Sequence, residues 1–129
     1  YVKGDENETY GPMPSISPIF GTISGEYTKD KIKISALYKF SGDKSPKDYS
    51  LGGEDGLEET PVITENINGI IYAGTPKWSD FSIYTNYDIS EDVKIRIALT
   101  NIFDNHYRTF ASGISAPGRS FQIGLYLKL

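Results

Sequence analysis

Apolar and polar residues alternate along five stretches of this chain. The clearest is Ser120 to Leu129, where Phe121, Ile123, Leu125, Leu127 and Leu129 share one face. Ser120, Gln122, Gly124, Tyr126 and Lys128 share the other. Val93 to Phe103 repeats the pattern, setting Val93, Ile95, Ile97, Leu99 and Phe103 against Lys94, Arg96, Ala98 and Thr100. Lys31 to Ser41 sets Ile32, Ile34, Ala36, Tyr38 and Phe40 against Lys31, Lys33, Ser35 and Lys39. Phe81 to Ile89 sets Phe81, Ile83, Tyr87 and Ile89 against Ser82, Asn86 and Asp88, and the glycine-diluted Ser17 to Tyr27 is weaker. A period of two marks a strand with one apolar face, and no segment holds a helical period over three turns. The pattern predicts an all-β antiparallel meander with strands near residues 17–27, 31–41, 78–89, 93–103 and 120–129.

The connections alternate in length. Lys29-Asp30 and Ser90-Glu91-Asp92 read as tight hairpin turns, whereas residues 42–77 and 104–119 form long loops. Outer-membrane barrels alternate in this way, with short periplasmic turns and long outer loops. Strand length agrees: ten residues at about 3.3 Å make roughly 33 Å. A tilt of about 45° leaves on the order of 23 Å, close to an apolar band of about 25 Å. Aromatics sit at the strand ends, with Phe40, Phe81, Phe103 and Phe121 at one end and Tyr27 and Tyr87 at the other. Two such belts match the two membrane interfaces. A soluble antiparallel sheet also alternates, so a soluble β-sheet binding module is the competing reading. Asn101 breaks the pattern, because it shares parity with the apolar face. Its amide is expected to bond loop backbone.

Composition narrows the choice. The chain has 129 residues with 38% hydrophobic content, and its mean hydropathy is -0.37. No apolar run is long enough for a transmembrane helix, which leaves barrel strands possible. Ten Tyr beside six Phe and one Trp suit surfaces half apolar and half wet. The net charge of -4 gives no basic footprint for nucleic acid. Cysteine is absent, so neither a disulfide framework nor a thiolate metal site is available. No signal peptide follows Tyr1, and a processed chain or fragment is expected. Five strands are too few to close a barrel, which takes about eight, so partner strands are expected as well.

The end of the chain carries a more specific signal. Asn101-Ile102-Phe103-Asp104, Tyr107 and Pro117-Gly118-Arg119-Ser120-Phe121 resemble the N-[LI]-F-D-x-x-Y and P-G-R-x-[FY] segments of outer-membrane TonB-dependent receptors. Upstream, Pro12-Met13-Pro14-Ser15-Ile16-Ser17-Pro18 resembles the family's P-x-I-P-P-type lead into a strand. Thr75-Pro76-Lys77-Trp78 resembles its G-x-P-A-W-type loop end, and the version looks most like receptors of Bacteroidetes-type bacteria. The resemblance implies the C-terminal part of a 22-stranded outer-membrane barrel. It also implies a role in active uptake of siderophore-iron, haem, cobalamin, a metal or a glycan across the bacterial outer membrane. The implied partners are the rest of the barrel and its plug, outer-membrane lipid, an inner-membrane energising complex and the nutrient. One departure is Leu129, where the family usually ends in an aromatic residue.

The motif residues Asn101, Phe103, Asp104, Gly118, Arg119 and Phe121 read as structural. Phe103 would anchor at the interface, and Asp104 would bond turn backbone and pair with Arg119. Tyr49, Trp78, His106, Tyr107 and Arg108 are the loop-borne candidates for cargo contact, being large and half polar. A lone histidine is a poor metal signal, since sites need several converging ligands. The acidic run from Gly53 to Glu59 lacks the spaced carboxylates of a Ca²⁺ loop. No nucleophile elbow, phosphate-cradling loop or metal motif is present. The reading is a non-enzyme without a cofactor.

Overall fold

The computed structural model describes residues 12–50, 52–67 and 69–128. It is all-β, and its strands are β1 (Phe20–Lys29), β2 (Ile32–Ser41), β3 (Val62–Asn66), β4 (Gly69–Tyr72), β5 (Trp78–Asp88), β6 (Val93–Thr100) and β7 (Ser120–Leu127). Five of them form one sheet in the order β1-β2-β5-β6-β7, and β3 and β4 form a separate two-stranded sheet. The predicted meander is therefore observed. Neighbours in the large sheet are neighbours in sequence once the β3–β4 excursion is set aside.

The register of β5, β6 and β7 sorts residues by face. Tyr87, Ile95 and Leu125 form one cross-strand row, Thr85, Ile97 and Ile123 the next, and Ile83, Leu99 and Phe121 a third. On the opposite face the rows are Asp88-Lys94-Tyr126, Asn86-Arg96-Gly124 and Tyr84-Ala98-Gln122. Apart from Thr85, one face is aliphatic and aromatic; the other is mainly charged or polar, with Ala98 and Gly124 among its residues. Side chains of one face meet across the ladder, as alternation requires. Lys94 reaches Asp88 at 3.1 Å, and Thr100 and Ser120 share a hydrogen bond of 2.8 Å.

Several expected boundaries shift. The first strand begins at Phe20, not near residue 17, because Pro18 has no N–H to give a ladder. The first tight turn falls at Asp30-Lys31, not at Lys29-Asp30, with Asp30 in the left-handed region at φ +49°. The β6 strand stops at Thr100, three residues before Phe103, because Asn101 also adopts a positive φ of +47°. The last strand ends at Leu127, and Leu129 lies outside the described residues. The segment 42–77, expected as one long loop, contains the β3–β4 hairpin and two 3-10 turns at Pro46–Asp48 and Leu57–Glu59. The hairpin had a signal of its own: β-branched runs on either side of the dipeptide Asn68-Gly69.

The chain divides into two compact units. The sheet unit holds 21–40, 79–106 and 117–129; the loop unit includes 41–78 and 107–116. The loop unit is organised around a buried ion pair. Lys44 Nζ lies 2.8 Å from Asp55 Oδ2, and the two residues are 5% and 2% exposed. The Lys44 backbone also exchanges two hydrogen bonds with Thr75, of 2.9 and 3.0 Å. Gly74 makes this approach possible: its φ is +77°, and a Cβ there would collide with the Lys44 carbonyl oxygen.

Candidate functional site

The motif near residue 101 builds a corner in the sheet unit. Asn and Asp tolerate left-handed backbone, and Asn101 and Asp104 both adopt it. The Asp104 N–H donates to the Asn101 carbonyl at 2.8 Å, closing a turn. The Asn101 side chain is 2% exposed and its bonding capacity is well used. Its Nδ2 donates to the carbonyls of Asn105 and Pro117 at 2.9 and 3.0 Å, while its Oδ1 accepts the Asn105 N–H at 3.0 Å. Its backbone N–H donates to Ser82 Oγ at 3.2 Å. Asn105 then reaches the Ser79 carbonyl at 2.8 Å. One buried amide thus ties the end of β6 to the segments beside β5 and β7.

The expected Asp104–Arg119 pair takes a different main form. The charged groups are 3.9 Å apart and exposed, but Asp104 Oδ1 accepts the Arg119 backbone N–H at 2.8 Å. Gly118 lies beside this bond, and a Cβ there would come within 3.2 Å of the same oxygen. Phe103 is not in a strand; it is exposed and stacks on Phe81 with ring centroids 6.0 Å apart. Phe121 is exposed on the apolar face.

The five cargo candidates are divided between the two units: His106 belongs to the sheet unit, and Tyr49, Trp78, Tyr107 and Arg108 to the loop unit. Tyr49 is buried at 3% exposure, and its hydroxyl shares a 2.6 Å hydrogen bond with Thr75. Its ring lies 4.7 Å below Lys44 Nζ and packs edge-on against Phe110, which itself lies 4.2 Å from that ammonium. Burial pushes the Tyr49 phenol above its ordinary value. Tyr49 belongs to the core of the loop unit, because its long-range partners Thr75 and Phe110 enclose it. Trp78 and Tyr107 do come together, stacked at 4.2 Å and 16°. Arg108 is exposed, bonding the Glu59 carbonyl at 3.1 Å and Ser115 Oγ at 3.2 Å. His106 is exposed and falls in the sheet unit. Periodicity pointed past Phe20, an exposed aromatic ring at a polar-face position of β1.

Asp55 lies in the acidic run but is occupied internally. Besides Lys44 it accepts the backbone N–H groups of Ser15 and Ser50. Burial raises its carboxyl pKa, but these hydrogen bonds outweigh that and hold it below the ordinary aspartate value. Among the described residues no cluster of three His, Cys, Asp or Glu side chains is placed to hold a metal. The turn end of the sheet has an open depression of about 890 Å³ lined by Lys31, Asp88, Glu91, Asp92, Lys94 and Lys128. Its three cations balance three carboxylates.

No family model matches the chain, and no curated protein matches it in sequence. Among solved structures, it superposes on the copper transporter OprC with a TM-score of 0.67 and 18% identity over 98% of its own length. The likeness is one of fold. The chain spans 19% of that transporter's length.

Proposed function

We propose that this chain is part of the wall of an outer-membrane β-barrel, in a receptor of the TonB-dependent type that takes up a scarce nutrient. The observation that carries the reading is the uncovered apolar face of the sheet unit. Ile23, Tyr27, Ile97, Ile123, Leu125 and Leu127 are 64%, 59%, 37%, 67%, 62% and 64% exposed. Among the described residues, the buried apolar side chains are Tyr49 and Ala98. A water-soluble sheet buries such a face, and an apolar expanse this large marks a lipid or protein contact. Lipid accepts it without cost, and the polar rows on the opposite face then line a wet interior. A soluble binding module would need another layer over the aliphatic rows, so this reading is disfavoured.

Two further observations support the family. The corner built by Asn101, Asp104, Gly118 and Arg119 gives each motif residue a structural role, and the fold is similar to that of a copper transporter. The edges of β1 and β7 are closed by other strands of the same barrel, since open edges in lipid cost several kcal/mol per unpaired group. The 22-stranded closure, the plug, the inner-membrane energising complex and the Bacteroidetes-type character follow from the sequence resemblance. The role is transport and not catalysis. The cargo is one of the classes that such receptors carry: siderophore-iron, haem, cobalamin, a metal or a glycan. The similarity to a copper transporter favours a metal-containing one.

A charge scan on the full-length receptor tests the placement. Ile97→Arg and Leu125→Arg are expected to abolish recovery from the outer-membrane fraction, whereas Lys94→Gln and Gln122→Lys leave it unchanged. Equal tolerance on both faces would sink the barrel reading.

A further inference from the structure

Arg96 stands in the middle of the polar face of the sheet unit, and the register sets its neighbours. Asn86 of β5 and Gly124 of β7 lie directly opposite it, while Tyr84 and Tyr126 are diagonal neighbours, one towards the long loops and one towards the turns. The guanidinium carbon lies 5.9 Å from the Tyr84 ring centroid, within reach of a cation–π contact. Tyr126 leans back along β7 over the glycine: a Cβ at Gly124 would meet its ring at 3.4 Å and its hydroxyl oxygen at 3.8 Å. The missing side chain at Gly124 thus opens space beside Arg96 and brings a phenol to the edge of that space.

Charge and shape select the occupant. The neighbouring cations on this face are matched within the sheet, Lys94 by Asp88 at 3.1 Å and Lys33 by Glu26 at 3.0 Å. Arg96 is held instead by an aromatic ring. A guanidinium steadied in this way presents its N–H fork to a planar oxyanion, which it binds bidentately. Asn86 adds an amide and Tyr126 a phenolic O–H, donors that suit the remaining lone pairs of a carboxylate. Arg96 is exposed and Tyr126 is 53% exposed, so the arrangement is an open surface and not an enclosed pocket. Small ligands are held in concave sites that bury most of their surface, so an open face fits a carboxylate carried on a polypeptide.

We propose that Arg96, Asn86 and Tyr126 form the docking point for an Asp or Glu side chain on an acidic polypeptide segment that packs against the polar face. The carboxylate accepts the two N–H groups of the Arg96 fork, and the Tyr126 hydroxyl donates to one of its oxygens. Tyr84 steadies the guanidinium through its ring. That the segment lies inside a barrel rests on the reading proposed above, in which this face is the interior wall. The recognition chemistry itself rests on the sheet unit alone.

The test uses the full-length receptor purified in nanodiscs. A photo-cross-linking phenylalanine in place of Gln122, on the polar face, is expected to join a segment bearing Asp or Glu, identified by mass spectrometry. The same probe in place of Ile123, on the apolar face, is expected not to join it. Arg96→Glu is expected to speed amide exchange in the joined segment by about tenfold. Tyr126→Phe, which keeps the ring over Gly124 and loses the hydroxyl, is expected to speed it by about threefold. Arg96→Glu combined with a Lys in place of the segment's acid is expected to restore protection. Exchange within β6 is read in parallel, because a merely structural role would show there and not in the segment. No cross-link, a cross-link to a second copy of the receptor, unchanged exchange in Arg96→Glu, or no recovery in the charge swap would each overturn the proposal. Recovery from the outer-membrane fraction is scored separately with Ile97→Arg, so the barrel reading and the docking point can fail independently.

Discussion

The two units of this chain solve burial in opposite ways. The sheet unit turns its aliphatic rows outward, with Ile123 and Leu125 about two-thirds exposed. The loop unit encloses charge: Lys44, Asp55 and Thr75 are among its least exposed residues. Each arrangement follows from its surroundings. On the proposed barrel reading, a wall strand in lipid needs no apolar core, because the bilayer is the apolar phase and only backbone groups must be satisfied internally. A short loop segment rich in Gly, Pro and acids has too few aliphatic residues for a core. It is held instead by one desolvated ion pair whose remaining hydrogen-bonding capacity is used. Lys44 serves Asp55, the Ile16 carbonyl at 2.8 Å and two aromatic faces.

That contrast is easiest to break at the ion pair. Lys44→Ala leaves a buried carboxylate without its cation and is expected to cost about 3–5 kcal/mol of loop-unit stability. Hydrogen exchange at the Lys44 and Thr75 amides reads this locally, and Lys44→Met with Asp55→Leu is expected to restore much of the protection. Acid provides a second readout. Because the folded-state pKa of Asp55 lies below the ordinary value of 3.8, its contribution is present above that pH. It is lost as pH falls through the lower folded value, so loop protection is expected to drop below about pH 3.8.

The sheet unit is broken by charge on its outer face. Ile97→Arg and Leu125→Arg are expected to cost about 2–4 kcal/mol near the bilayer midplane, measured by urea unfolding from lipid vesicles. The corner comes next. Asn101→Ala removes three side-chain bonds from a buried position and is expected to cost about 2–3 kcal/mol, with faster exchange at the Asn105 amide. Asn101→Asp keeps the acceptor for the Asn105 N–H but sets a buried carboxylate oxygen against the Asn105 and Pro117 carbonyls, and is expected to cost at least as much as Asn101→Ala. The smallest effect is expected at Arg119→Ala. Its exposed charge pair is worth about 0–1 kcal/mol, and the backbone bond to Asp104 survives the change. A loss at Arg119 as large as at Asn101 would mean that the side-chain pair, and not the backbone bond, holds the corner.

Much of this architecture is legible before any coordinates. Period-two alternation found all five strands of the large sheet, and the parity break at Asn101 located the corner that its buried amide makes. Strand ends were less legible, because Asp30 and Asn101 leave the ladder through left-handed backbone that the apolar pattern does not encode. The β3–β4 hairpin was readable in principle from its β-branched runs, but the length of the surrounding loop masked it. Tyr49, picked as a loop-borne cargo candidate, is buried in the loop unit. Its burial depends on Thr75 and Phe110, which lie far along the chain.

The sequence by itself determined the all-β meander and which face of each strand is apolar, since both follow from local alternation and turn chemistry. Only the tertiary structure decided which polar side chains are buried. Asp55 resembles its acidic neighbours in sequence. What sets it apart is Lys44 beside it, two backbone amides aimed at its carboxylate, and a glycine that lets the Lys44 and Thr75 backbones meet. Desolvation is a property of packing between distant segments, and no local pattern carries it.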